Sequence, residues 1–241
     1  MAQLPFNWSE LDRSTLYSMF YSLNSEIVGM DLSPSQIQKR INKHVKKHLP
    51  IKLKKCIHAP TTKGFVFMGG VYYSNLDRKG VPAIEVNFNY NPDDKKLRLT
   101  QHRFKRMAVR FADVMLHEMV HMRQFRSRNF KDIPGYQSTA LLTKDRKKQE
   151  YYGDRDEMGA HAFNTACELI DRFGYDPTTI GQYLDTNQCR KHKNSTWGDY
   201  LKAFEWNHNH PIIRRMRNLI MRNLENAANG KPFRTTNHLT Y

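Results

Sequence analysis

An α+β fold follows from three features of this 241-residue sequence. Three strand-like runs lie within residues 51–90, an unbroken helical stretch covers residues 101–128, and helix signals dominate from there to the C-terminus. The expectation is a small mixed or antiparallel sheet, a long helix bearing the functional site, and a largely helical C-terminal half. One domain, 1–241, accommodates all of it: helices and sheet over 1–100, the long helix over 101–128, and a helical part over 129–241. A chain of this length can bury one full core and does not require a second.

The elements can be justified in order. Residues 9–23 read as a first helix anchored by Leu11, Leu16, Met19 and Phe20. Ser33 caps a second, with Pro34 at its first position, where a missing N–H is harmless, and Ile37, Ile41 and Val45 as its stripe. His44 and His48 stand one turn apart on it, but no carboxylate lies between them, and they read as surface residues of a basic helix. The strand-like runs are 51–58, 64–73 and 83–90. In the third, Ile84, Val86, Phe88 and Tyr90 alternate with Glu85, Asn87 and Asn89, and Asn91-Pro92-Asp93-Asp94 ends it with turn chemistry.

No Gly or Pro interrupts residues 101–128, and Phe104, Met107, Phe111 and Val114 recur at helical steps. Carried forward, the stripe reaches Glu118, His121 and Phe125. The pentad His117-Glu118-Met119-Val120-His121 therefore falls on the face that earlier turns give to the core, where polar groups are expensive without partners. Positions i and i+4 project from one helix face, so both imidazoles can reach a single Zn²⁺ while Glu118 is placed to take a proton from water. Two hydrogen-bonded core histidines would share that spacing, but the inward stripe and the apolar run Val114-Met115-Leu116 favour the metal.

Residues 129–152 carry Gly, Pro, Ser and Thr among many charges and read as an irregular loop forming a cleft wall. Tyr136, Tyr151 and Tyr152 within it are either surface residues or donors to a developing oxyanion. The next helix opens at Glu157, continues through Phe163, Cys167 and Ile170, and closes at Gly174. Catalytic zinc takes three protein ligands and one water, so a third donor is needed, and Glu157 is the best candidate. A competing reading makes Asp154 and Glu157 the two ends of a capping box. His161, one turn along, is the rival ligand. Beyond lie a helix start at Asp176-Pro177, a polar loop over 189–195, a helix over 197–206, and a last helix from Pro211 to Asn226 packed through Ile212, Met216, Leu219 and Ile220. Residues 229–241 read as a frayed tail.

His117-Glu118-x-x-His121 followed by Glu157-x-x-Ala160-x-x-Phe163 resembles the zincin metallopeptidases, and among them the glutamate-liganded gluzincins; the nearest pattern is the ImmA/IrrE-like group. The resemblance spans roughly residues 107–173. It implies a zincin-like fold, His117, His121 and Glu157 as zinc ligands, and Glu118 as general base. It further implies a peptide substrate adding as an extra strand along residues 83–90, beside Ile84, Val86 and Phe88. An electrophilic helper opposite the base would be His208 or His210, for which a loop or capping role is the alternative. His161 stands where that group often has an Asp or Asn that orients a ligand histidine, so the choice between Glu157 and His161 stays open. Residues 115–121 are also similar to the SprT-like proteases, which act on DNA-bound proteins, but those use a third histidine in a His-Gly context that does not follow the pentad here.

The formal net charge is +16, which favours polyanionic partners, either nucleic acid or nucleoprotein. Solvated basic faces would account for many of these charges, and the competing function class is a basic nucleic-acid-associated or interaction protein with a vestigial or structural metal site. Cys56, Cys167 and Cys189 are too few for a disulfide framework and fit a reducing compartment, with Cys56 in a strand, Cys167 in the core and Cys189 in a loop. The first ten residues lack a basic leader with an apolar run, and no segment approaches the apolar length of a membrane span. The expected location is cytoplasmic. Small basic zincin-like proteins of this kind are similar to some encoded by bacteriophages, which would make the site of action the host cytoplasm or the virion.

Overall fold

The computed structural model describes residues 11–56, 63–192 and 195–229. It is mixed α+β and about 61% helical, so the sheet is the minor part. The chain divides into two compact units, 1–122 and 123–241, and the division falls within one long helix.

The first unit opens with helices α1 (Arg13–Tyr21) and α2 (Asn24–Ile27), strand β1 (Asp31–Leu32) and helix α3 (Pro34–Val45). Ser33 and Gln36 form a full capping box around Pro34, and Ile37, Ile41 and Val45 are buried as the stripe requires. His44 is held by Ser22 Oγ at 3.1 Å and the Met19 carbonyl at 2.9 Å, so it ties α3 to α1 rather than lying loose on the surface. Strands β2 (Lys52–Cys56) and β3 (Val66–Tyr72), the short helix α4 (Ser74–Asp77), strands β4 (Ile84–Tyr90) and β5 (Leu97–Arg98), and helix α5 (Gln101–Ser127) follow. Phe20 stacks on Phe104 and Phe111 of α5 at centroid distances of 5.7 and 4.6 Å. Fully burying a phenylalanine contributes about 1.5–3 kcal/mol, so these rings anchor the early part of α5. Arg13 pairs with Asp113 at 2.8 Å on the same helix.

The three-stranded sheet has the order β2-β4-β3, with β2 parallel and β3 antiparallel to β4. A two-stranded sheet pairs β1 with β5. The alternation of β4 is as expected, but its place is not. β4 is the central strand, both of its edges are hydrogen-bonded, and Ile84, Val86 and Phe88 are buried. The expected addition of a peptide along residues 83–90 is therefore corrected: a strand with two partners has no free ladder groups to offer. Among the described residues the sheet edges are β2 and β3.

The second unit begins with the last turn of α5 and contains α6 (Thr143–Gly153), α7 (Arg155–Phe173), α8 (Pro177–Asp185), a 3-10 turn (Asn187–Lys191), α9 (Thr196–Ala203) and α10 (Pro211–Ala228). α10 packs on α7, and the core between them and α8 and α9 is built from Met158, Leu169, Trp197, Tyr200, Ile213 and Met216, among others. Gly174 closes α7 at φ 69°, its amide donating to the Ile170 carbonyl at 2.8 Å, a conformation a side chain would resist. The loop expected over 129–152 holds as far as residue 142, and helix α6 corrects the rest. Its sequence, TKDRKKQEYYG, is polar on every side, so it has helix formers without the apolar stripe by which a helix is recognised. Cys189 is likewise not a loop thiol but a buried residue of the 3-10 turn, and burial pushes its pKa up. The expected tail beyond Asn229 lies outside the described residues.

Candidate metal centre

Helix α5 carries the pentad in its fifth and sixth turns, and the apolar stripe decides which way it points. Glu118 and His121 are only 5% and 8% exposed, while His117 is half-buried. The two imidazole Nε2 atoms are 3.2 Å apart. Two ligands on one tetrahedral zinc, each about 2.0–2.1 Å from it, would be separated by about 3.3 Å, so the spacing fits a shared ion as well as a direct hydrogen bond between the rings.

The third member of the group, Glu157, lies at the start of α7. Asp154 caps that helix, its Oδ1 accepting from the amides of Asp156 at 2.9 Å and Glu157 at 3.2 Å. The cap fixes where the first turn begins and therefore where Glu157 projects. A clamp from the end of α5 holds the same turn: Arg128 donates through both Nη atoms to the Asp156 carboxylate at 2.7 and 2.6 Å, and Gln124 Nε2 donates to the Asp156 carbonyl at 3.0 Å. Burial opposes the Arg128 charge, but the hydrogen bond and field of Asp156 outweigh it and raise its pKa. Gly159 lets the helices approach, since a Cβ there would lie 2.6 Å from Gln124 Nε2. With this start fixed, ligand atoms of His117, His121 and Glu157 all lie within 4.8 Å of one another, a group that could hold a metal ion.

His161 takes a different place. Its Nε2 is 3.7 Å from Glu157 Oε2 and 3.1 Å from the Tyr151 hydroxyl, so it neighbours the carboxylate but is not a member of the three-residue group. Its ring is surrounded by Tyr151, Tyr152 and Tyr200 at centroid distances of 5.7, 5.9 and 5.8 Å. Burial, and then the charge of Asp199, raises the Tyr152 pKa, so this phenol stays protonated at neutral pH and can donate. Burial pushes Tyr200 further up. His208 bonds through Nε2 to Asn187 Oδ1 at 3.1 Å. His210 is the N-cap of α10, its Nδ1 accepting from the Ile212 amide at 3.2 Å, and its ring lies 4.5 Å from that of Phe204. The structure thus gives His210 the capping role.

Two features of the site escaped the sequence. The Arg128 and Gln124 clamp on Asp156 is one; its residues are ordinary charged and polar types with no spacing signal. Gly70 on β3 is the other. A Cβ at Gly70 would meet Glu118 Oε1 at 2.5 Å, Glu118 Cγ at 2.6 Å and Val114 Cγ1 at 2.8 Å, whereas one at neighbouring Gly69 meets nothing within 4 Å. Glycine at position 70 therefore lets β3 lie directly against the pentad carboxylate. The signal was available, as a Gly-Gly pair inside a strand-like run marks close approach of another group.

Comparison with protein-family models, curated proteins and solved structures returns no match.

Proposed function

We propose that this protein is a zinc-dependent metallopeptidase of gluzincin type. The observation that carries the reading is the convergence of His117, His121 and Glu157 within 4.8 Å, with the buried Glu118 next to His117 along the same helix. Two nitrogens and one carboxylate oxygen are a donor set of catalytic zinc, which leaves a fourth position open. Bound there, zinc would supply a Lewis acid for the scissile carbonyl and lower the pKa of water toward about 7.

The remaining steps belong to the chain. Glu118 takes the proton of the attacking water and delivers it to the leaving amine, so no nucleophilic Ser or Cys is needed. His161, whose Nε2 is bonded to the Tyr151 hydroxyl at 3.1 Å, stands 3.7 Å from Glu157 Oε2, and when protonated it would favour the charged carboxylate. Tyr152, a protonated phenol in the same aromatic group, is the candidate donor to the oxyanion. An extended peptide would add not to β4 but to β3, the edge strand against which Glu118 lies at Gly70.

A second reading rests on the +16 charge: a basic interaction protein whose metal group is structural. The Glu118→Gln variant separates the two. Under the peptidase reading it keeps its zinc and loses at least about a hundredfold in turnover of an unfolded substrate such as casein. Undiminished turnover removes Glu118 as base, and zinc-loaded parent protein with no turnover favours the structural site.

A further inference from the structure

The sheet of the first unit has two unlike faces. Register places Met68, Ile84, Val86, Phe88 and Tyr90 together on the buried side. On the other side, Phe67 lies opposite Asn89 and Gly69 opposite Asn87, with Phe65 one alternation before Phe67. Phe65, just before β3, and Phe67 on it are 41% and 55% exposed, an unusual state for two phenylalanines so close together. Each carries an arginine from α5: the Arg103 guanidinium is 4.8 Å from the Phe65 centroid and the Arg110 guanidinium 5.5 Å from that of Phe67. Both arginines are anchored, Arg103 to the Gly64 carbonyl at 3.1 Å and Arg110 to the Met68 carbonyl at 3.2 Å. They are exposed charges fixed at the rim of an aromatic strip.

We infer that this face binds single-stranded nucleic acid. Three observations converge on that occupant. Exposed rings two residues apart where the chain enters a strand form a platform on which successive unpaired bases stack. Asn87 and Asn89, beside the rings, offer amide donors and acceptors suited to base edges. Arginines fixed at the rim, on a chain of net charge +16, supply the attraction to phosphate. Of the acidic groups at the Phe65 end, Asp93 is offset by Lys63 at 3.5 Å, and Asp94, which keeps its charge while accepting from the Gly64 amide at 2.9 Å, is outnumbered by Arg103 and Arg110. Glu85, at the far end of the face, accepts from the Tyr73 hydroxyl at 3.4 Å. A duplex fits less well, since its bases are already stacked and present no free faces. The surface contains no member of the metal group, so binding is read without any reference to turnover.

The test is fluorescence anisotropy of full-length protein with labelled oligothymidine, oligouridine and a duplex of the same length, over a range of salt. The single strands bind more tightly than the duplex, and the relative affinity of the two homopolymers separates DNA from RNA as the preferred strand. Phe65→Ala and Phe67→Ala each weaken single-strand binding about tenfold, and Phe67→Tyr restores it. Arg103→Gln with Arg110→Gln lowers the magnitude of the log–log salt slope by about 1.4. The same charge removed from α6, as Lys144→Gln with Lys147→Gln, changes affinity less than about twofold. The inference is overturned if no oligonucleotide binds, if the duplex binds as well as the single strands, or if the phenylalanine variants bind like the parent. It is equally overturned if the α6 control loses as much as the rim arginines. Circular dichroism verifies folding; should the alanine variants fail it, the tyrosine and arginine variants decide.

Discussion

At the residue scale, Gly69 and Gly70 are a built-in comparison. Both are glycines on β3, but only position 70 abuts Glu118 and Val114. Gly70→Ala should therefore destabilise the protein by about 1–3 kcal/mol through overpacking and reduce turnover at least tenfold by displacing the carboxylate, with zinc retained. Gly69→Ala should leave both nearly unchanged. Denaturant melts with zinc analysis and a casein assay check this, and equal effects at the two positions would show that Gly70 has no special relation to the base. Much at this scale was legible in advance. The i, i+4 histidines and the carboxylate between them need only a helix to meet, and the apolar stripe predicts that helix. Glu157 was harder, because an acidic residue in a first helical turn is equally a capping residue; Asp154 performs the capping, and only the tertiary structure brings Glu157 toward the histidines.

At the scale of elements, the clamp between the end of α5 and the start of α7 should set how well Glu157 is held. Arg128 and Asp156 are 18% and 16% exposed and bonded in two places, so Arg128→Ala is expected to cost about 2–3 kcal/mol and to weaken zinc binding about tenfold, read by unfolding and by chelator competition. Unaltered zinc affinity would mean that α7 keeps its position without the clamp. The start of α10 has a pH dependence of its own. His210 caps it as a neutral acceptor, and burial lowers its pKa despite the nearby Glu205. The folded-state value lies below the unfolded one, so the stabilisation is present above about pH 6.5 and lost as pH falls through the folded-state value. His210→Asn supplies a cap that does not titrate; the stability difference between parent and variant should shift in the variant's favour on going from pH 7 to pH 5, and a constant difference would refute the neutral-acceptor role. Elements with a strong apolar period, α3, α5 and α7, were read to within a residue or two. Those without one were not: α6 is polar all round, β1 and β5 are two residues long, and the alternation of β4 shows that one face is buried but not how many neighbours its edges have.

For the whole molecule, a metal that binds only the folded chain must stabilise it. Zinc at about one hundred times its dissociation constant contributes about 2.7 kcal/mol, which for a chain of this size is a rise of roughly 5–10 °C in Tm. A chelator should remove that rise from the parent and leave His121→Ala unchanged. The +16 charge was visible from composition alone, but the face that uses it was not, since the exposure of Phe65 and Phe67 depends on which side of the sheet the core covers. The metal centre is tested most simply by the zinc content of purified parent and Glu157→Ala protein. One equivalent per chain in the parent, falling well below one in the variant, is the predicted result; full occupancy in both, or a parent that takes up no zinc when supplied with it, would contradict the assignment of His117, His121 and Glu157 as a metal centre.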